Sequence, residues 1–291
     1  MQQHEQLSPI LPPIKIKTAF EELNNKHELL ACGIEKIDSI LNLTTGDRLA
    51  VIGDKKYSQM FLTRLCVNAL LLSSSPSSSS KKKNNIKLVA SSRFHTSNVI
   101  LVNAGNSTAF YQHVNFARQY YRRDVISRVL NNTIVTRPFT VYQLADIVIN
   151  QLPKVIQQCD AKMVVVSDLL DMFTHDPQIG ANEATYLTNQ IINSITKSSA
   201  LEDVLVIVSL PFVGRAYHRN DNSAMLDNKT IIPRFDKCIE ITNSRENENK
   251  MLDIKIRNNS RRNKNSINDF HGSKLLSISK IDLLTVSAPT D

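Results

Sequence analysis

The segment from Gly33 to Met60 carries the residues whose spacing bears most directly on chemistry. Within it an apolar run, Leu49 to Ile52, delivers Gly53 a few residues before a helical pattern of Phe61, Leu62, Leu65, Cys66 and Leu70. Strand, glycine and helix in that order are what a phosphate-binding loop of the G-x-x-x-x-G-K-[ST] type needs, because the helix N-terminus then aims backbone N–H groups at an anion. Laid on that motif Gly53 fits, but Ser58, Gln59 and Met60 replace the second glycine, the lysine and the hydroxyl residue. The lysine of such a loop neutralises the outer phosphates and the hydroxyl ligates magnesium. Gln59 and Met60 can do neither. Asp54 adds a carboxylate beside the phosphate path; at about 6 Å and an effective dielectric near 20 this costs roughly 3 kcal/mol per phosphate charge. Lys55 and Lys56 offset it from within the same loop. The candidate nucleotide-contacting residues are therefore Gly53, Asp54, Lys55, Lys56, Tyr57, Ser58, Gln59 and Met60, and no residue is assigned a catalytic role. The plainer reading of the same residues is a scaffold in which Gly53 makes only a tight turn.

The elements around this loop alternate. Strands are expected at 48–53, 98–103, 133–137, 162–167 and 204–209, each nearly continuous in Val, Ile and Leu as in strands covered on both faces. Helices are expected at 58–72, 109–121, 123–131, 141–158 and 183–198, with Pro153 kinking or ending the fourth. Cys238 to Thr242 and Met251 to Ile256 form a hairpin, and a short strand or helix is expected over Leu275 to Leu284. The fold class is thus α/β, a mostly parallel sheet with helices on both faces and an antiparallel C-terminal hairpin. The expected organisation is a disordered tail over 1–14, a core over 15–257 interrupted by a low-complexity Ser/Lys-rich insertion at 73–85, and a basic polar segment with a C-terminal extension over 258–291.

Four pieces in order resemble the ATPase core of the RecA/RadA strand-exchange recombinases, with the KaiC-type ATPases close behind. The first is Gly33-Ile34-x-x-Ile37-Asp38-x-Ile40-Leu41 with Thr45-Gly46-Asp47. The second is the strand ending in Asn103-Ala104-Gly105-Asn106-Ser107, the third Val135-Thr136-Arg137-Pro138-Phe139-Thr140, and the fourth Met163 to Val166 closing in Ser167-Asp168-Leu169-Leu170-Asp171. The resemblance covers roughly residues 30–255 and implies a RecA-like core in a recombinase paralogue. It implies ATP as cofactor, but the family's water-orienting glutamate falls on Gly105 and its preceding aspartate on Asn103. The magnesium-strand aspartate falls on Ser167, with Asp168 one residue later and so facing the opposite side of the strand. Hydrolysis is therefore not expected. Binding of ATP through backbone N–H groups alone stays open.

A formal charge of +8, from 35 Lys and Arg against 27 Asp and Glu, favours a polyanionic partner. By the resemblance, the second DNA-binding loop falls in the polar segment after the fifth strand, with Arg215, Tyr217, His218 and Arg219 suited to phosphate contact and base stacking. The first DNA loop would fall near 175–183, where there is neither Arg nor Lys. The expected partners are single- or double-stranded DNA and an active recombinase in a hetero-oligomer. Phe20 imitates only in part the Phe-bearing linker by which recombinase subunits dock. Runner-up readings are a DNA-independent scaffold docked on an active RecA-fold ATPase, and a weak atypical ATPase. No apolar stretch reaches the roughly 18–20 residues that span a bilayer, so no membrane partner and a cytoplasmic location are expected. The seven histidines show no H-x-x-x-H or H-E-x-x-H spacing, no G-x-S-x-G elbow exists, and Cys32, Cys66, Cys159 and Cys238 form no C-x-x-C pair. Buried thiols are expected.

Overall fold

The computed structural model describes residues 29–72, 98–105, 115–116, 118, 123–176, 178–211, 228–244, 251–259 and 273–284. Ten strands are described: β1 (Leu29–Leu30), β2 (Leu43–Thr44), β3 (Arg48–Gly53), β4 (Asn98–Asn103), β5 (Thr133–Thr136), β6 (Ala161–Ser167), β7 (Leu205–Pro211), β8 (Lys237–Asn243), β9 (Met251–Asn258) and β10 (Lys274–Ser279). Eight of them form one sheet in the order β10-β9-β8-β3-β7-β6-β4-β5. The pairs from β8 through β5 are parallel, whereas β8–β9 and β9–β10 are antiparallel. β1 and β2 pair separately and antiparallel.

Strand parity explains the two cores. In β3, Leu49 and Val51 pack to one face while Ala50 and Ile52 pack to the other, and β4, β6 and β7 repeat the split. Both sets are apolar because helices cover both faces, which is why these strands read as unbroken apolar runs. In β9 only Leu252, Ile254 and Ile256 are buried, and the alternate Asp253, Lys255 and Arg257 are half-exposed. That one-sided pattern marks the antiparallel flank of the sheet.

One face carries α1 (Glu35–Leu41), α2 (Lys55–Leu72) and α3 (Arg123–Asn131). The other carries α4 (Val141–Asp146), a π-helical turn over Ile147–Gln151, α5 (Leu152–Cys159) and α7 (Ala181–Glu202), with the short α6 (Asp171–His175) between them in sequence. Pro153 does not end this run, which continues to Cys159. It has no N–H for a carbonyl one turn back, and the preceding turn is widened into the π form, one of whose carbonyls, that of Val148, accepts from Ser194 Oγ at 3.0 Å. The segment expected as a strand or a helix at 275–284 is both in succession, β10 and then α9 (Lys280–Leu284). α8 (Asn228–Ile231) precedes β8. Of the helix expected at 109–121, only residues 115–116 and 118 lie within the described set, and they are helical.

α2 is buried nearly all round from Phe61 to Val67, because β1–β2 and α9 lie over the side that a surface helix would expose. Its charged member Arg64 is 1% exposed and donates to the backbone carbonyls of Cys32 (3.0 Å), Gly33 (3.0 Å), Asp282 (2.7 Å) and Leu283 (3.2 Å). The guanidinium thus joins residues 32–33 to the last turn of α9, whose free carbonyls need donors.

Cys32, Cys66 and Cys238 are buried and unpaired, and Cys159 is half-buried. Burial pushes the thiol of Cys66 up to about 12 and that of Cys238 up to about 11, and raises Cys32 well above its ordinary value. Because the thiolate is the reactive form, an aromatic disulfide reagent added to the native chain should modify Cys159 first, with the other three reacting only on unfolding. Equal rates for all four would overturn this.

Candidate functional site

The C-terminal ends of β3, β4, β6 and β7 meet at one edge of the parallel sheet, the edge where open α/β sheets bind ligands. Here α2 begins at Lys55, two residues after Gly53, so the wrapping loop expected over Gly53 to Met60 is absent and Lys55 to Met60 are helix. With no second glycine, the run K-K-Y-S-Q-M contains nothing to hold the chain out of a helix. Asp54 caps it. Its carbonyl accepts from Ser58 N–H at 2.9 Å and its Oδ1 from Lys56 N–H at 2.9 Å. A carboxylate of the protein therefore occupies the helix N-terminus, where the macrodipole favours an anion.

The remaining members of the expected loop also point elsewhere. Ser58 and Gln59 are buried, Met60 packs against the first core, and Tyr57 has the ammonium groups of Lys56 and Lys280 at 5.8 and 5.2 Å from its ring centroid. Gly53 is needed for packing: a Cβ there would lie 2.3 Å from the Ile241 carbonyl oxygen of β8.

Lys55 and Asp168 are brought together. Lys55 Nζ lies 2.5 Å from Asp171 Oδ2, 3.2 Å from the Gly105 carbonyl and 3.5 Å from Asp168 Oδ2. Gln59 Nε2 donates to Asp168 Oδ2 at 3.0 Å. One ammonium so links the start of α2 to the ends of β4 and β6. Burial works against this ammonium, yet its hydrogen bond to Asp171 and the charges of Asp168 and Asp171 outweigh it and raise the Lys55 pKa.

Asp168 enters the site by a route that strand parity does not describe. β6 ends at Ser167, whose hydroxyl lies 3.4 Å from Asn103 Oδ1, and Asp168 takes a left-handed conformation with φ 54°. Aspartate tolerates that region better than most residues, and the turn swings its side chain toward Gln59 instead of across the sheet. Its N–H donates to Ser209 Oγ at 2.7 Å, and its carbonyl accepts from Asp171 N–H at 3.0 Å. Gly105 is required by this arrangement, since a Cβ at that position would stand 2.2 Å from Asp168 Cβ. A glutamate in its place would collide with the aspartate.

Burial raises the Asp168 pKa above its ordinary value, opposed by the Lys55 charge and the Gln59 hydrogen bond and assisted by Asp171. The raised value means that folding favours the protonated carboxyl. Its contribution to stability is complete below the ordinary carboxylate range and is lost as pH rises through the folded-state value. Asp168→Asn removes that titration, so urea unfolding of the two proteins should show the variant gaining stability relative to the parent between acid and neutral pH. A constant difference across that interval would overturn the assignment.

Beside the cluster lies a cleft of about 620 Å³ lined by Lys55, Ala104, Gly105, Pro138, Phe139, Thr140, Val141, Asp171, Met172 and Asp176. Asp171 and Asp176 were not picked out from the sequence, although the Asp168-x-x-Asp171 spacing after an apolar strand was a usable signal. Among the described residues no three His, Cys, Asp or Glu side chains converge as a metal site would require, and no helix is long and apolar enough to cross a membrane. Arg215, Tyr217, His218 and Arg219, like Phe20, lie outside the described residues. No protein-family model matches the chain, and no curated protein matches it.

Proposed function

We propose that the chain is a recombinase-like accessory protein that binds DNA, an active recombinase, or both, without hydrolysing ATP. The observation that carries the non-hydrolytic part is the start of α2 at Lys55, capped by Asp54 and followed by Gln59 on Asp168. An incoming triphosphate would meet a resident carboxylate at the helix terminus and a lysine already held by Asp171 and Asp168. The RecA-like reading is supported by the order of the resembling pieces. β3, β4, β5 and β6 run parallel in one sheet, and the antiparallel strands lie to one side. The DNA-binding part rests on the net charge of +8 and on the Arg- and His-bearing sequence that follows β7, a strand whose last residue, Pro211, pairs with Gly53 at the edge that carries the site. A cytoplasmic setting fits this reading.

A fluorescence-anisotropy titration onto single-stranded DNA at low and moderate salt, with and without Mg-ATP, tests the proposal. Binding that weakens steeply with salt, as counterion release demands, and falls in Arg215→Ala/Arg219→Ala supports it, with no dependence on ATP. Absence of binding at low salt leaves the DNA-independent scaffold.

A further inference from the structure

We draw no further inference here: the strongest candidate, the outer edge of β5, which pairs with no further strand among the described residues and carries the exposed Val135, has nothing in the structure to show what covers it.

Discussion

Replacing Arg64 with methionine should destabilise the fold by about 3–5 kcal/mol, the scale at which a buried charge-bearing network is broken. The side chain is 1% exposed and satisfies the carbonyls of Cys32, Gly33, Asp282 and Leu283. Methionine of similar length fills much of the volume but offers no donor, and each orphaned buried acceptor costs about 1–3 kcal/mol before relaxation. Lysine should recover only part of the loss, because one ammonium on a flexible stem cannot reproduce the spread of a five-donor fork. Denaturant unfolding of the three proteins checks this. A methionine variant within 1 kcal/mol of the parent, on the order of an ordinary surface change, would show that water replaces the guanidinium.

The second large effect is expected at Gly53. Alanine there places a methyl 2.3 Å from the Ile241 carbonyl oxygen, a backbone atom in the adjacent strand β8 that cannot swing aside. Strands β3 and β8 would have to part in the middle of the sheet, and a cost of roughly 3 kcal/mol, the upper range for overpacking, follows. Thermal unfolding with and without Mg-ATP separates two meanings of this glycine. If it serves packing alone, the loss is the same in both conditions. If it cradles phosphate, the parent gains stability from nucleotide and the variant does not.

Much of the sheet was legible in the sequence. The runs Arg48–Gly53, Asn98–Asn103 and Met163–Ser167 are so uniformly apolar and β-branched that only strands buried on both faces fit them, and the polar turn before Met251 announced the hairpin. The site was harder for two reasons. Reading Gly53 to Met60 against a phosphate-loop frame imposed a loop on residues whose own preferences are helical, and Asp54 as a cap is visible only once that frame is dropped. Alternation along β6 then put Asp168 on the wrong side, since a single left-handed residue lies beyond any two-residue periodicity. Lys55 was named as a phosphate contact, and its partnership with Asp171 depends on bringing together residues 116 positions apart. No local pattern encodes that distance.

The guanidinium of Arg64 also bears on the order in which the chain can mature during synthesis. Two of the carbonyls to which it donates, those of Asp282 and Leu283, are made more than two hundred residues after the arginine itself. While the ribosome is still adding β4 to β9, the middle of α2 holds a cation without its acceptors in α9 and with an uncovered side. Water must solvate that side until α9 emerges. Final closure of this layer therefore waits for α9, and a nascent chain halted before residue 280 should remain protease-sensitive around α2 even though its parallel strands have all been made.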